Sequence, residues 1–587
     1  MQATAETPDR RWPADLAWIL VWGIASSAWC LSGSTRLGAT FDETTYVTQG
    51  LERWRSGECK GLMRLGTMPL PVDVQTLPLH VYERATGQRF DTEAQLGEIL
   101  PWARAMTLVF WWLLLVYGFL AGRQIGGTWA GRLAVAVLAC EPCFLAHATL
   151  ATTDIAVTAC LLALAFHFRA GRERAWFQRL FLPGFWFGAA LLAKASSLVF
   201  GPLCLILIEC ERLFISERPD SSPPMSQGFR AVIENGKRLW QSLARDMVWI
   251  VAGGLVLTFI YIGSDWKAEP SFIAWAEKLP EGSRRTGMLW LSEHLQIFSN
   301  AGEGLVQQVK HNVRGHVTYL LGKHWTRYCW NYFWVLPFIK LSLPVLLMPL
   351  LVAIARPRSL LNWASFTAFA LFLCAPGFRV QLGIRLILPL VALAIVGLSA
   401  ALVMAIRATP VQWVRGLLSG WAVAGVAWTL AAAVSIWPDG LCFVNELWGG
   451  PERGYLCVSD TDYDWGQGLK ELKQWQQQAG LSELDLWYFG TDPAAKLAPF
   501  HPINPQTLLL HKPEDFQPYV QGHFLAVSAT ILYGGYFDDQ EAWAHAMAFV
   551  RAHQPAARTA TFFIYDFTND ANRCRQVLAA AGSSGDR

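Results

Sequence analysis

The chain has 587 residues, of which 53% are hydrophobic and only 16% carry charge. Soluble domains carry roughly 25% charge, so the deficit excludes a disordered chain and argues against an ordinary cytosolic enzyme. A net charge of +3, with no basic run interleaved with aromatics, leaves no footprint for nucleic acid.

What remains is a polytopic membrane protein with soluble parts. Its 29 Trp and 33 Phe against 10 Met suit aromatic belts at a membrane surface. A span needs roughly 20 apolar residues. Spans are expected at 15–33, 100–120, 132–148, 153–168, 180–195, 197–214, 247–263, 331–354, 360–376, 385–405 and 415–437, about eleven in all. Arg10 and Arg11 precede the first, which places the N-terminus in the cytoplasm by the positive-inside rule. Alternation then puts Arg123 with Arg132, the Arg169–Arg179 loop, the Arg212–Arg238 loop, Arg356 with Arg358, and Arg407 with Arg415 on that same side. A cleaved signal peptide is disfavoured, because Trp29 stands where a small residue is wanted.

Three soluble regions fall on the outer side: 34–99, 264–330 and 438–587. The membrane part is therefore 1–437. The last region alternates strand-like runs (Tyr455–Ser459, Asp485–Phe489, His523–Ser528, Thr559–Tyr565) with helical ones (Gly468–Ala479, Gln540–Ala552, Asn569–Ala580), which predicts an extracytoplasmic α/β domain. The twelve cysteines suggest neither a zinc module nor a disulfide scaffold; Cys442 and Cys457 read as two buried thiols.

Ionisable groups beside a bilayer are costly, so they are functional candidates by default. Asp42 and Glu43 sit just past the first span, followed by Tyr46. Adjacent carboxylates suit a general base and a partner that positions an acceptor; the plainer alternative is a capped helix start. His147 and Asp154 flank the next outer turn, seven residues apart, with a core histidine and an N-cap as the plain alternatives. Arg104, Lys194, Lys340 and Arg385 lie at or within spans, where snorkelling is the ordinary explanation. Arg385 stands out between Gly383 and Pro389, the latter expected to free a carbonyl inside the helix. Asp460, Asp462 and Asp464 have the spacing of a calcium loop, but Trp465 occupies the place of its glycine.

At these residues the sequence resembles the GT-C superfamily of lipid-linked-sugar glycosyltransferases, in the branch of the protein O-mannosyltransferases and the bacterial lipid A aminoarabinose transferases. The resemblance runs over nearly the whole chain. It rests on Asp42-Glu43 with Tyr46, on Arg104, on Pro142 through Leu145-Ala146-His147 to Thr152-Thr153-Asp154, on Lys194, on Gly315–Gly322 with Tyr332-Phe333 and Lys340, on Gly383–Pro389, and on Asp464-Trp465-Gly466-Gln467. Two departures stand out. Met68-Pro69-Leu70-Pro71 lacks a His common in relatives, and the Trp-Trp-Asp-Tyr-Gly signature of oligosaccharyltransferases is absent.

The resemblance implies an inverting transferase in a bacterial inner membrane. It would move a sugar from a polyprenyl-phosphate donor to a protein, lipid or glycan hydroxyl or amine on the periplasmic side. Asp42 would be the base, Glu43 and Asp154 would position the acceptor, and Arg104, Lys194 and Arg385 would hold the phosphate. Tyr46, His147 and Lys340 are further site candidates, and Glu43, Asp154 and His147 are the side chains suited to a divalent ion. A flippase for a lipid-linked glycan, or a non-catalytic scaffold, remains the alternative.

Overall fold

The computed structural model describes residues 12–216, 228–264, 266–296, 299–536 and 540–568. Arg10, Arg11, Arg218 and the expected helix Asn569–Ala580 lie outside them. The chain is an integral membrane protein built mainly of helices. Those that carry the argument are α1 (Trp12–Arg36), α2 (Phe41–Ser56), α3 (Pro69–Thr86), α4 (Leu96–Gly126), α5 (Thr128–Cys140), α6 (Pro142–Ala148), α7 (Asp154–Gly171), α8 (Leu182–Ala193), α9 (Ser197–Glu211) and α10 (Gly228–Ile262). After a connecting segment with a short hairpin (β1, Thr318–Leu320; β2, Lys323–Trp325) come α11 (Tyr332–Lys340), α12 (Leu343–Ala355), α13 (Trp363–Cys374), α14 (Leu388–Ala408) and α15 (Gln412–Ser435).

Among the described residues six helices are long and apolar enough to cross a membrane, or eight if each of two bent pairs counts as one span. The expected eleven runs are therefore not all full-length spans. The run 132–148 breaks at Glu141, where α5 and α6 meet at 66°, and 331–354 breaks after Lys340, where α11 and α12 meet at 107°. Pro142 is the first residue and Pro344 the second of the later helix in each pair, within the first turn where a missing N–H costs nothing. The two breaks are joined: the Glu141 carboxylate accepts hydrogen bonds from the Ser342 N–H (3.1 Å) and hydroxyl (2.6 Å). Buried α7 and α14 form the centre of the bundle, and both are apolar nearly all round.

Basic residues gather at the end where α1 begins. Arg132 pairs with Asp15 at 2.7 Å, Arg172 and Arg179 share Asp246, and Arg407 donates to the Gly126 carbonyl. The opposite end, where α1 runs into α2, carries the sheet region.

That sheet has the order β4-β3-β5-β7-β6, with β3 (Leu484–Trp487) parallel to β4 (Phe500–Pro502) and β5 (Phe524–Ser528), and with β7 (Phe562–Asp566) antiparallel to β5 and β6 (Ala557–Arg558). β3 and β5 are buried throughout and mostly apolar, with Asp485 and Ser528 as the exceptions. Phe524, Ala526, Phe562 and Ile564 face α16 (Leu469–Gln478), while the alternate residues Leu525, Val527, Phe563 and Tyr565 face α17 (Glu541–Arg551). The expected strand at Tyr455–Ser459 is instead a 3-10 turn over Gly454–Leu456. The Cys457 carbonyl just past it accepts from Leu321 at the end of β1, so its pairing is with the hairpin and not with the sheet.

Candidate functional site

The site is assembled where α2 starts. Thr40 caps the helix and Gly57 ends it in the left-handed conformation (φ 80°). Glu43, in the first turn, is fully buried and accepts five hydrogen bonds: from Thr40 N (2.9 Å) and Oγ1 (3.0 Å), from Ala151 N (2.7 Å), and from Arg104 Nε (2.8 Å) and Nη2 (2.7 Å). Arg104 spends its other N–H groups on the carbonyls of Ser34, Leu37 and Gly38. Burial works to raise the Glu43 pKa, yet Arg104 and the two backbone donors outweigh it and hold the group below the ordinary carboxyl value. This corrects two expectations. Arg104 has no donor left for a phosphate, and Glu43 has no lone pair open to an acceptor or a metal. Together they tie α2, α4 and the turn before α7 into one block.

One residue earlier the chemistry differs. Asp42 projects from the same turn with its side chain 24% exposed. Its Oδ2 accepts from Arg385 Nη1 (2.8 Å) and from the Tyr46 hydroxyl (3.3 Å), while Oδ1 has no partner among the described residues. Arg385 also lies 4.0 Å from Asp154 Oδ2, and Asp154 Oδ1 accepts from Lys194 Nζ at 2.6 Å. Two carboxylates and two cations, drawn from α2, the start of α7, the junction of α8 with α9 and the turn before α14, thus form one chain of charge. Burial acts against the charge on Arg385, but Asp42 and Asp154 more than offset it and raise its pKa. Asp154 Oδ2, His147 Nδ1 and Thr152 Oγ1 are buried here without hydrogen-bond partners. His147 ends α6 and feels the charges of Asp154, Arg385, Lys340 and Lys194.

The segment after α15 sets Arg385 in place. Asp462 Oδ1 accepts from the Ile384 N–H (2.9 Å), and Oδ2 from the Tyr332 hydroxyl (3.0 Å), which in turn accepts from Gly383 N (3.2 Å). Gly383 has φ 80°, and a Cβ there would run into Thr461 and Asp462, so glycine is required on both counts. The guanidinium of Arg385 lies 4.3 Å from the centre of the Trp465 ring. Trp465 and Gln467 also accept from Phe41 N (3.0 Å) and Gly38 N (2.7 Å), which pins the chain on the near side of Asp42. Pro389 falls in the first turn of α14, so it frees no carbonyl within the helix as expected from its spacing; the turn Ile384–Leu386 precedes that helix. Lys340 is 2% exposed and donates to the carbonyls of Leu441 (2.8 Å) and Asp462 (2.6 Å), which makes it a clasp between α11 and this segment.

The sequence reading passed over the roles of Asp462, Trp465 and Gln75, whose amide joins Thr107 to the Thr152 carbonyl. It also passed over the Cys-x-x-Cys pair Cys140 and Cys143, both free and buried, with the Cys143 thiol donating to the Lys340 carbonyl. Cys442 and Cys457 are free as well. No group of three His, Cys, Asp or Glu side chains among the described residues has the geometry to hold a metal ion. Glu43, Asp154 and His147 are not such a set, since Glu43 is saturated. The acidic run is not a calcium loop either: Asp460 bonds the Tyr536 hydroxyl, Asp462 serves Tyr332 and Ile384, and Asp464 accepts from Gly466 N and Thr530 N.

Among curated proteins, none matches the chain. Among solved structures it is similar to ArnT from Cupriavidus metallidurans bound to undecaprenyl phosphate (12% identity, 93% of this chain and 97% of that one, TM-score 0.44). It is also similar to the oligosaccharyltransferase of Archaeoglobus fulgidus in the apo form (12%, 91% and 71%, TM-score 0.46) and to the arabinofuranosyltransferase AftD from Mycobacteria (12%, 87% and 35%, TM-score 0.35). Residues 99–219, which carry Arg104, His147, Asp154 and Lys194, match the family model of the dolichyl-phosphate-mannose-protein mannosyltransferases.

Proposed function

We propose that the protein is an inverting glycosyltransferase that moves a sugar from a polyprenyl-phosphate donor to an acceptor hydroxyl or amine on the extracytosolic face of a bacterial inner membrane. In this reading the N-terminus is cytoplasmic, and residues 438–587 form an extracytosolic α/β domain over the site. The observation that carries it is the bridge by which Arg385 joins Asp42 and Asp154, residues more than a hundred positions apart in the chain. The family matched by residues 99–219 is described by a dolichyl-phosphate sugar donor, which supports the donor class. Arginines clustered at the far end support the orientation.

The bridge suggests how the base is timed. While Arg385 holds Asp42, one of its carboxylate oxygens is engaged by the guanidinium. A donor phosphate arriving between Arg385 and Lys194 competes for the guanidinium, which frees Asp42 to meet the acceptor. The acceptor O–H or N–H then gives its proton to Asp42 Oδ1, and the acceptor atom attacks the anomeric carbon from the face opposite the phosphate. The C–O bond breaks with its electron pair on the phosphate oxygen, where Arg385 and Lys194 stabilise the added charge. Asp154 keeps Lys194 and Arg385 in register. A phosphate leaving group needs no general acid, unlike the sugar alkoxide of a glycosidase.

The test is single-turnover transfer by purified protein from a radiolabelled polyprenyl-phosphate sugar. Arg385→Ala should lose donor binding and turnover together, by about a hundredfold or more. Wild-type donor affinity in that variant would reject the phosphate role. Movement of the lipid donor between leaflets without sugar transfer would favour the flippase alternative.

A further inference from the structure

The far end of the bundle holds a cavity of about 530 Å³ that the proposed reaction does not use. It lies between the ends of α4, α7, α9 and α14 and the turn that leads into α13. Because α14 runs for 21 residues from beside Arg385 to this cavity, the two sites are about 30 Å apart. Three arginines, Arg169, Arg356 and Arg358, line it against one carboxylate, Glu211.

Its donors are under-used. The Nε–H of Arg169 is buried with no acceptor, and the nearest Glu211 oxygen stands 4.0 Å away, beyond hydrogen-bond length. Trp363, only 4% exposed, has its indole N–H buried without a partner. Arg358 is exposed with no side-chain partner among the described residues, and Arg356 reaches only the Ala408 carbonyl, at 3.5 Å. Orphaned buried donors each cost on the order of a hydrogen bond. Two buried N–H groups without acceptors thus lie beside the Glu211 carboxylate, under the guanidinium groups of Arg356 and Arg358. The matching ligand is a compact anion rich in oxygen, and guanidinium forks fit phosphate oxygens in pairs.

We propose that this cavity is a phosphate-binding site, and that its occupant is the headgroup of an anionic phospholipid of the leaflet opposite the transfer site. The position among helix ends, on the side of the bundle where arginines gather, favours a lipid over a soluble phosphate. Glu211 beside Arg169 disfavours a second negative charge deep in the cavity, which suits a phosphodiester better than a phosphomonoester dianion.

The experiment uses the full-length protein, purified in detergent and examined by native mass spectrometry after exchange into phosphatidylglycerol or phosphatidylcholine. Wild type should retain one phosphatidylglycerol, and the double variant Arg356→Ala with Arg358→Ala should retain it at least tenfold less, with phosphatidylcholine unchanged. Trp363→Phe keeps an aromatic ring while removing the indole N–H and should weaken retention severalfold, which keeps the test sound if the double variant folds poorly. A parallel arm adds inorganic pyrophosphate and follows thermal unfolding. Protection of wild type alone, without selective lipid retention, would uphold the phosphate site and identify its ligand as soluble. Equal lipid retention in wild type and variants, with no protection by pyrophosphate, would overturn the proposal.

Discussion

Two acid–base clusters grow from a single turn of α2, and they are built for opposite ends. The Glu43–Arg104 pair has both side chains wholly buried and every guanidinium N–H satisfied. The Asp42–Arg385–Asp154–Lys194 chain is partly open and leaves Asp154 Oδ2 without a hydrogen bond. Saturated charge holds a fold; unsaturated charge is available to a ligand. The same residue types one position apart thus serve architecture in one case and proposed chemistry in the other.

The comparison breaks most sharply at Arg104. Arg104→Ala would strand the Glu43 carboxylate without its cation in a dry site and should cost about 3–5 kcal/mol, read as lost yield of folded protein and a lower unfolding midpoint. A normally stable Arg104→Ala protein would put Arg104 back among candidates for the phosphate. Next in size, Asp42→Asn should leave the unfolding midpoint within the error of wild type while cutting sugar transfer by roughly 10²–10⁴-fold. An active Asp42→Asn enzyme would remove the base assignment.

Asp462→Ala sharpens the boundary between the clusters, because Asp462 touches the backbone before Arg385 and not the reacting atoms. A rise in donor KM of about tenfold with a smaller change in kcat is expected, and Tyr332→Phe should follow in the same direction more weakly. Equal losses of activity and of folded protein would mean a purely structural role.

The smallest effect is on pH. Burial pushes Asp460 up to about 6 and Asp464 up to about 7, against the hydrogen bonds each accepts. Groups raised on folding favour the folded state when protonated, so stability is lost as pH climbs through 6 and 7 and recovers as it falls from 8 toward 6. Glu43 is lowered on folding, so its contribution is present above the ordinary carboxyl range and disappears only as pH drops below it. An unfolding midpoint that rises steadily from pH 6 to 8 would contradict the burial of the Asp460–Asp464 turn.

Much of this was legible in the chain. The apolar runs and basic loops identify a membrane protein, and the alternating tail gives α16, α17 and three of the strands of the sheet region. Asp42, His147, Asp154, Lys194 and Arg385 are conspicuous because ionisable groups beside a bilayer need a reason. Other features were not legible. β4 and β6 are two or three residues long and leave no periodic signal. The breaks at Glu141 and after Lys340 look like flaws within apolar runs until Ser342 is seen to meet Glu141.

The sequence by itself determined the class of the molecule and the candidate charges, because burial in lipid is a property of composition and local pattern. Only the tertiary structure decided which charge does what. Whether an arginine is spent or open depends on the carbonyls and carboxylates folded around it, and the carboxylates come from residues 61 to 343 positions away. Hydrogen bonding acts over 3 Å and is indifferent to separation along the chain, so Glu43 and Asp42, neighbours in sequence, part company only in space.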